Sequence, residues 1–176
     1  YLSADHDRII SWKNHLAKNS FKIGICWQGS KAKIDFGRSF PLTLFKDISK
    51  LPNVELINLH KGEGEKQIED INFNLTLLGE NFDNGEDAFI DTAAVMANCD
   101  LIITSDTAIA HLAGALNYRT WVVLKKIPDW RWMLDRDDSP WYPNMRLYRQ
   151  KERDNWEEIF EIIKKDLQSL IRLNEN

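Results

Sequence analysis

The stretch Leu101-Ile102-Ile103-Thr104-Ser105-Asp106-Thr107-Ala108-Ile109-Ala110-His111-Leu112-Ala113-Gly114-Ala115 decides the fold class. Its first four residues are apolar or β-branched, the pattern of a strand buried on both faces. From Thr107 to Leu116 the residues turn to Ala, Ile and Leu, which predicts a helix. A strand running directly into a helix is half of a βαβ unit and implies a parallel sheet. The junction also carries chemistry. The first turn of a helix exposes N–H groups without intrahelical partners and the positive end of the macrodipole, so it attracts anions, phosphate above all. Asp and Thr are equally the common N-caps of helices that bind nothing. Position favours a ligand, because strand ends at the carboxyl edge of an open parallel sheet are where ligands collect. The small residues Ala108, Ala110, Ala113, Gly114 and Ala115 let the helix and a ligand approach closely. His111 leans back over the first turn; it is either a ligand-side group or a satisfied core or interface histidine.

Working outward, residues 21–27 and 54–59 read as strands and residues 41–49 as a helix, with a short helix over 67–71. Residues 75–78 read as a short third strand and 86–98 as a helix. Residues 101–104, 120–124 and 146–149 complete six strands, and residues 156–173 form a long amphipathic closing helix. The alternation predicts an α/β fold, a Rossmann-like three-layer sandwich with a six-stranded parallel sheet in the order 3-2-1-4-5-6 and right-handed crossovers. A single domain over residues 1–176 is expected, with residues 1–20 a helix leading from a missing N-terminal part, since the chain opens on Tyr1 rather than Met.

The net charge of −4 argues against general nucleic-acid binding, because no basic excess is available to neutralise a phosphate backbone. Cys26 and Cys99 lack metal-ligand spacing and read as free buried thiols, which with the absence of a leader or an apolar span favours a cytoplasmic setting and no membrane span.

In the predicted order the loop after Trp27 faces the helix start at Asp106. That loop carries Gln28-Gly29-Ser30 and a basic run, Lys31, Lys33 and Arg38. Gly29 allows close backbone approach, Gln28 offers donor and acceptor groups, and Arg38 suits a bidentate phosphate clamp. Lys61-Gly62-Glu63-Gly64 follows the second strand at the same edge, where Glu63 could receive ribose hydroxyls or merely cap a solvated turn. Trp130, Trp132, Trp141 and Tyr142 either stack a base or sugar ring or cover the sheet, with Asp129 and Arg131 as polar contacts beside them. Asp135-Arg136-Asp137 matches a minimal Asp-x-Asp pattern but sits in a mixed-charge run, so no metal is expected. Ser105, Asp106 and His111 do not form a hydrolase triad.

Taken in order, Cys26-Trp27-Gln28-Gly29, Arg38-Ser39-Phe40-Pro41-Leu42, Lys61-Gly62-Glu63-Gly64, Asp91-Thr92-Ala93-Ala94, the Ser105 to Leu116 run and Pro128-Asp129-Trp130-Arg131-Trp132 resemble the carboxyl-terminal half of GT-B glycosyltransferases. The likeness is to the domain of bacterial tetratricopeptide-repeat proteins related to lipopolysaccharide heptosyltransferases and, more distantly, O-linked N-acetylglucosamine transferases. This resemblance implies a nucleotide-diphosphate sugar as substrate, with no cofactor. It places Gln28, Gly29, Arg38, Lys61, Glu63, Asp106, Thr107, Ala108 and His111 around that donor, with Arg38 and His111 stabilising the leaving group. It further implies inverting, metal-independent transfer, with the catalytic base outside this chain, in a missing N-terminal domain or repeats of the same protein. The fragment alone would then be inactive. The competing expectation is a non-catalytic Rossmann-like interaction module, which would bind no nucleotide and expose a large apolar patch.

Overall fold

The computed structural model describes residues 2–30, 37–85 and 88–174. Lys31 and Lys33, and Glu86 at the start of the helix expected over 86–98, lie outside them. The apolar runs of the sequence become β1 (Phe21–Cys26), β2 (Val54–Asn58), β3 (Leu101–Ser105), β4 (Thr120–Leu124) and β5 (Met145–Arg149). They form one five-stranded sheet, all parallel, in the order β2-β1-β3-β4-β5. Four α-helices accompany them among the described residues: α1 (His6–Lys13), α2 (Ile90–Met96), α3 (Ala108–Ala115) and α4 (Glu157–Asn174).

Every residue of β3 and β4 is buried, as their unbroken apolar runs require. Alternate side chains feed two cores. Phe21, Ile23, Ile25, Leu101, Ile103, Trp121 and Val123 pack under α4 and the segment around Phe40, Leu42 and Phe45. There Phe160 of α4 meets Phe40 and Phe45 at ring-centroid distances of 5.2 and 5.1 Å. The other face packs Cys26, Ile57 and Ile102 against Val95, Met96, Ile109 and Ala113 of α2 and α3, and Val122, Leu124 and Leu147 against Ala110 and Trp132. Gly114 lies directly beneath the Tyr142 ring, where any Cβ would collide with it.

Six strands were expected and five form. Residues 75–78 contribute a single parallel bridge, Thr76 to Ile57, with Asn58 N–H donating to the Thr76 carbonyl at 2.9 Å and Thr76 N–H to that of Leu56 at 2.8 Å. The segment touches the expected edge, with Leu75 and Leu78 each packed against a core, but Leu77 is exposed and the pairing stops at one bridge. The helices expected at 41–49 and 67–71 are 3-10 turns, Leu42–Lys46 and Glu65–Ile68; such short segments gain too few bonds to propagate an α-helix. The first helix stops at Lys13 rather than continuing to residue 18, because Asn14 N–H turns back to the Ser11 and Trp12 carbonyls. Residues 86–98 yield only the helix at Ile90–Met96, since Phe89 takes a φ of 71° and breaks the run ahead of it.

Helix α1 buries no residue and is held by polar contacts. Arg8 and the Trp12 indole donate to Oδ1 of the buried Asp91 at 2.7 and 3.0 Å. Burial works against the Asp91 charge, but these donors and the Asp83 N–H hold its carboxyl below the usual range. Asp91→Ala is expected to lower stability by about 2 kcal/mol and to release Trp12, read by urea unfolding and tryptophan fluorescence.

Candidate functional site

The register of β1 on β3 pairs Cys26 with Thr104, so the segments that leave these strands, 27–30 and 106–108, emerge side by side. Between them opens a cavity of about 510 Å³ at the carboxyl edge of the sheet. Gln28, Gly29, Arg38, Lys61, Glu63, Asp106, Thr107 and Ala108 all line it. Gly29 faces Thr107 across the gap: a Cβ on it would sit 3.5 Å from the Thr107 methyl and 3.6 Å from an Arg38 nitrogen. The loop carrying Arg38 is pinned at its base, where Gly29 N–H donates to Ser39 Oγ at 3.3 Å and Phe40 N–H to the Trp27 carbonyl at 3.1 Å.

Thr107 is the N-cap of α3, yet its side chain makes no capping bond. Its hydroxyl turns instead to Thr104 Oγ1, 3.2 Å away. The first amides of the helix are therefore left without a side-chain acceptor, at an exposed Ala108 on the cavity wall. Asp106 is 3% exposed, and its Oδ2 has no partner. Gln28 is 8% exposed; its Oε1 accepts from Gln67 Nε2 at 3.1 Å, while its own Nε2 is unpartnered. Buried polar atoms left unsatisfied are uncommon in folded proteins, and here two belong to residues that line one cavity from its facing sides.

The turn after β2 is clamped from below. His60 Nε2 donates to the Glu63 carbonyl at 2.6 Å, which leaves Nδ1 to face Cys26 Sγ at 3.6 Å. Trp27 stacks near His60 at 4.4 Å and donates to the Gly64 carbonyl. Gly64, at φ 106°, passes so close to Gln28 that a Cβ would lie 2.7 Å from its Oε1; both the backbone angle and the space demand glycine. Burial lowers the His60 pKa, so its ring is neutral near pH 7, and burial pushes the Cys26 thiol up to about 11, which keeps it protonated and inert.

Lys61 Nζ donates to the Phe82 and Asp83 carbonyls, both at 2.6 Å, and so ties the 79–85 loop to the cavity rim. Asp83 in turn accepts from the Asp91 and Thr92 amides and from the Thr92 hydroxyl, standing in for the missing cap of α2. His60, Cys26, Asp83 and Thr92 line the cavity and were not anticipated. His60 was open to discovery from its place at the end of the second strand; nothing local marks Asp83.

His111 points elsewhere. Its ring stacks on buried Trp132 at 5.2 Å, with Nδ1 3.1 Å from the Tyr142 hydroxyl, on the side of α3 away from the cavity. Burial, aided by Arg131, lowers its pKa. The aromatic loop thus divides: Trp132 and Tyr142 join the core, whereas Trp130 and Trp141 are 75% and 55% exposed. Asp129 and Arg131 pair with each other at 2.9 Å. In the acidic run Arg136 forks onto Asp138 at 2.6 and 2.7 Å.

Comparison with proteins of known structure places this arrangement. The chain superposes on E. coli ADP-heptose lipopolysaccharide heptosyltransferase II with a TM-score of 0.68 at 16% identity, over 99% of this chain and 54% of that one. The fold is that of a GT-B glycosyltransferase domain. A glycosyl transferase of family 9 from Veillonella parvula matches with a TM-score of 0.63 at 14% identity, over 94% of this chain and 46% of its own. In sequence the chain is 31% identical over 166 residues to Protein FlbA of Caulobacter vibrioides, covering 89% of this chain and 27% of FlbA. The chain thus spans about a quarter of that curated relative and about half of the heptosyltransferase. No family model matches the chain. Among the described residues of the GT-B domain, no helix is long and apolar enough to cross a membrane.

Both lowered histidines tie stability to pH. An unfolded His60 or His111 binds a proton below about pH 6.5, whereas the folded rings resist it, so their contribution is complete above that pH and is lost as the pH falls toward the folded values. The urea midpoint is expected to drop steadily between pH 7 and 5. His60→Asn should flatten that slope, and NMR titration of the two rings should give pKa values below 6.5.

Proposed function

We propose that this GT-B domain is the donor half of an inverting, metal-independent glycosyltransferase, and that its carboxyl-edge cavity holds the diphosphate of a nucleotide sugar. The observation that carries the proposal is the start of α3, left without a side-chain cap and opposed across one cavity by Arg38 and the spare amide donor of Gln28. Backbone amides and a guanidinium on facing walls suit a diphosphate, and the cavity volume falls within the range typical for ligands of nucleotide size. The structural neighbour is an ADP-heptose heptosyltransferase, and ADP-heptose is of that class.

In this reading the Thr107 hydroxyl and the amides of residues 108 and 109 take phosphate oxygens. Asp106, a carboxylate, accepts from a hydroxyl of the ribose or sugar, and Glu63 does the same from the opposite rim. Lys61 shapes the rim through its carbonyl bonds and adds positive potential. An acceptor oxygen attacks the anomeric carbon, the bond from that carbon to the β-phosphate oxygen breaks, and negative charge collects on the departing diphosphate. Arg38 and the helix dipole stabilise that charge, the task a divalent cation performs elsewhere. His111 is neutral and bound to Tyr142, so we assign it to bracing the helix start rather than to charge stabilisation. The base that takes the acceptor proton belongs to the partner half, and tetratricopeptide repeats precede that half in the full protein.

The exposed apolar residues Ile127, Trp130, Leu134 and Trp141, all from one stretch of chain, favour a second reading, an interaction module without nucleotide binding. Calorimetric titration with ADP, UDP, GDP and their sugar conjugates separates the two. The donor reading expects saturable binding of at least one, weakened tenfold or more by Arg38→Ala, about 1.4 kcal/mol or above, and little changed by His111→Ala. Saturation by none of them would leave the interaction module standing.

A further inference from the structure

A second cavity of about 300 Å³ opens on the same edge of the sheet, at the ends of β4 and β5. Lys125, Lys126 and Arg153 line it, with Asp154 as the one acid among the described residues, so a chain of net charge −4 places three basic side chains here. Among the described residues, neither Lys126 nor Arg153 takes part in an ion pair. The floor is Gln150, only 3% exposed. Its orientation is fixed by chemistry: Lys126 N–H, a donor, bonds it at 3.3 Å, so that contact must be Oε1. The opposite atom, Nε2, is then a buried donor with no acceptor. Gly37 belongs to this cavity and the adjoining Arg38 to the first, so the base of one loop forms the wall between the two.

We infer that this second cavity is an anion subsite, taking a phosphate or carboxylate group borne by the acceptor. The inference rests on the donor reading above for the word acceptor, but not for the anion. Lys126 and Arg153 supply charge, Gln150 Nε2 supplies a directed N–H once the group enters, and the Gly37–Arg38 wall sets the acceptor's anion beside the donor's diphosphate without merging the two.

The test is titration of the GT-B domain with inorganic phosphate and, separately, with glucuronate, at ionic strength held constant with chloride and followed by amide NMR. The Lys126 amide reports directly, because it bonds Gln150. Saturable shifts at residues 126 and 150 with either probe, retained in Arg38→Ala and weakened at least tenfold in Lys126→Ala and Arg153→Ala, support the subsite. Shifts confined to residues 107–109 and abolished in Arg38→Ala, or shifts that chloride reproduces, overturn it while leaving the donor reading intact. Saturable shifts at 126 and 150 in a protein that binds none of the nucleotides retain the anion site and reject the donor reading.

Discussion

The pairing of β1 with β3 is the constraint on which the rest depends. Both strands lie inside the sheet, both are covered on each face, and their register sets Cys26 beside Thr104. Once that register is fixed, two backbone segments must leave the sheet as neighbours, and the right-handed crossovers of a parallel sheet carry their helices to a covering layer. The crevice between them follows from topology, and the side chains only furnish it.

How it is furnished turns on a few small choices. A Thr at the N-cap would ordinarily satisfy its own helix, but the Thr104 hydroxyl is close enough to draw it off. The helix start is left with donors facing a space also walled by a guanidinium and a stranded amide. Beneath, His60 and Cys26 are kept uncharged by burial, so the charge of the cavity comes from Arg38, Lys61, Glu63, Asp83 and Asp106 and from backbone dipoles, with no titrating group in its floor near neutrality. Such a site changes little in potential across the physiological pH range.

Much of this was legible in the sequence because unbroken apolar runs have few alternatives. Residues 101–104 and 120–124 form strands as read, the first running one residue further to Ser105, and the Asp106 to Ala108 junction falls where the pattern placed it. The misreadings cluster where local signal and tertiary burial part company. Residues 75–78 had the composition of a strand, yet with Leu77 left exposed only one bridge formed. Residues 41–49 had helical spacing, yet the core took Leu42, Phe45 and Ile48 from a 3-10 turn instead. For the site, Gln28, Gly29, Arg38 and Thr107 were reachable because topology brings strand ends together. His111 lies away from the cavity: spacing along a helix gives height above its first turn but not direction around the axis, and that direction is set by Trp132 and Tyr142. Asp83 was invisible, since its role is to cap a helix to which it does not belong.

That capping has a consequence for how the chain loosens. Arg8 and Trp12 hold Asp91, Asp91 and Asp83 hold each other's amides, and the Asp83 carbonyl holds Lys61 at the cavity rim. The first helix, with no fully buried residue and Trp12 packed on Phe82, is thus one end of a hydrogen-bonded chain whose far end is the rim of the carboxyl-edge cavity. Fraying at the amino terminus and opening of the rim draw on the same bonds, so a helix with no fully buried residue bears on how long the rim keeps its shape.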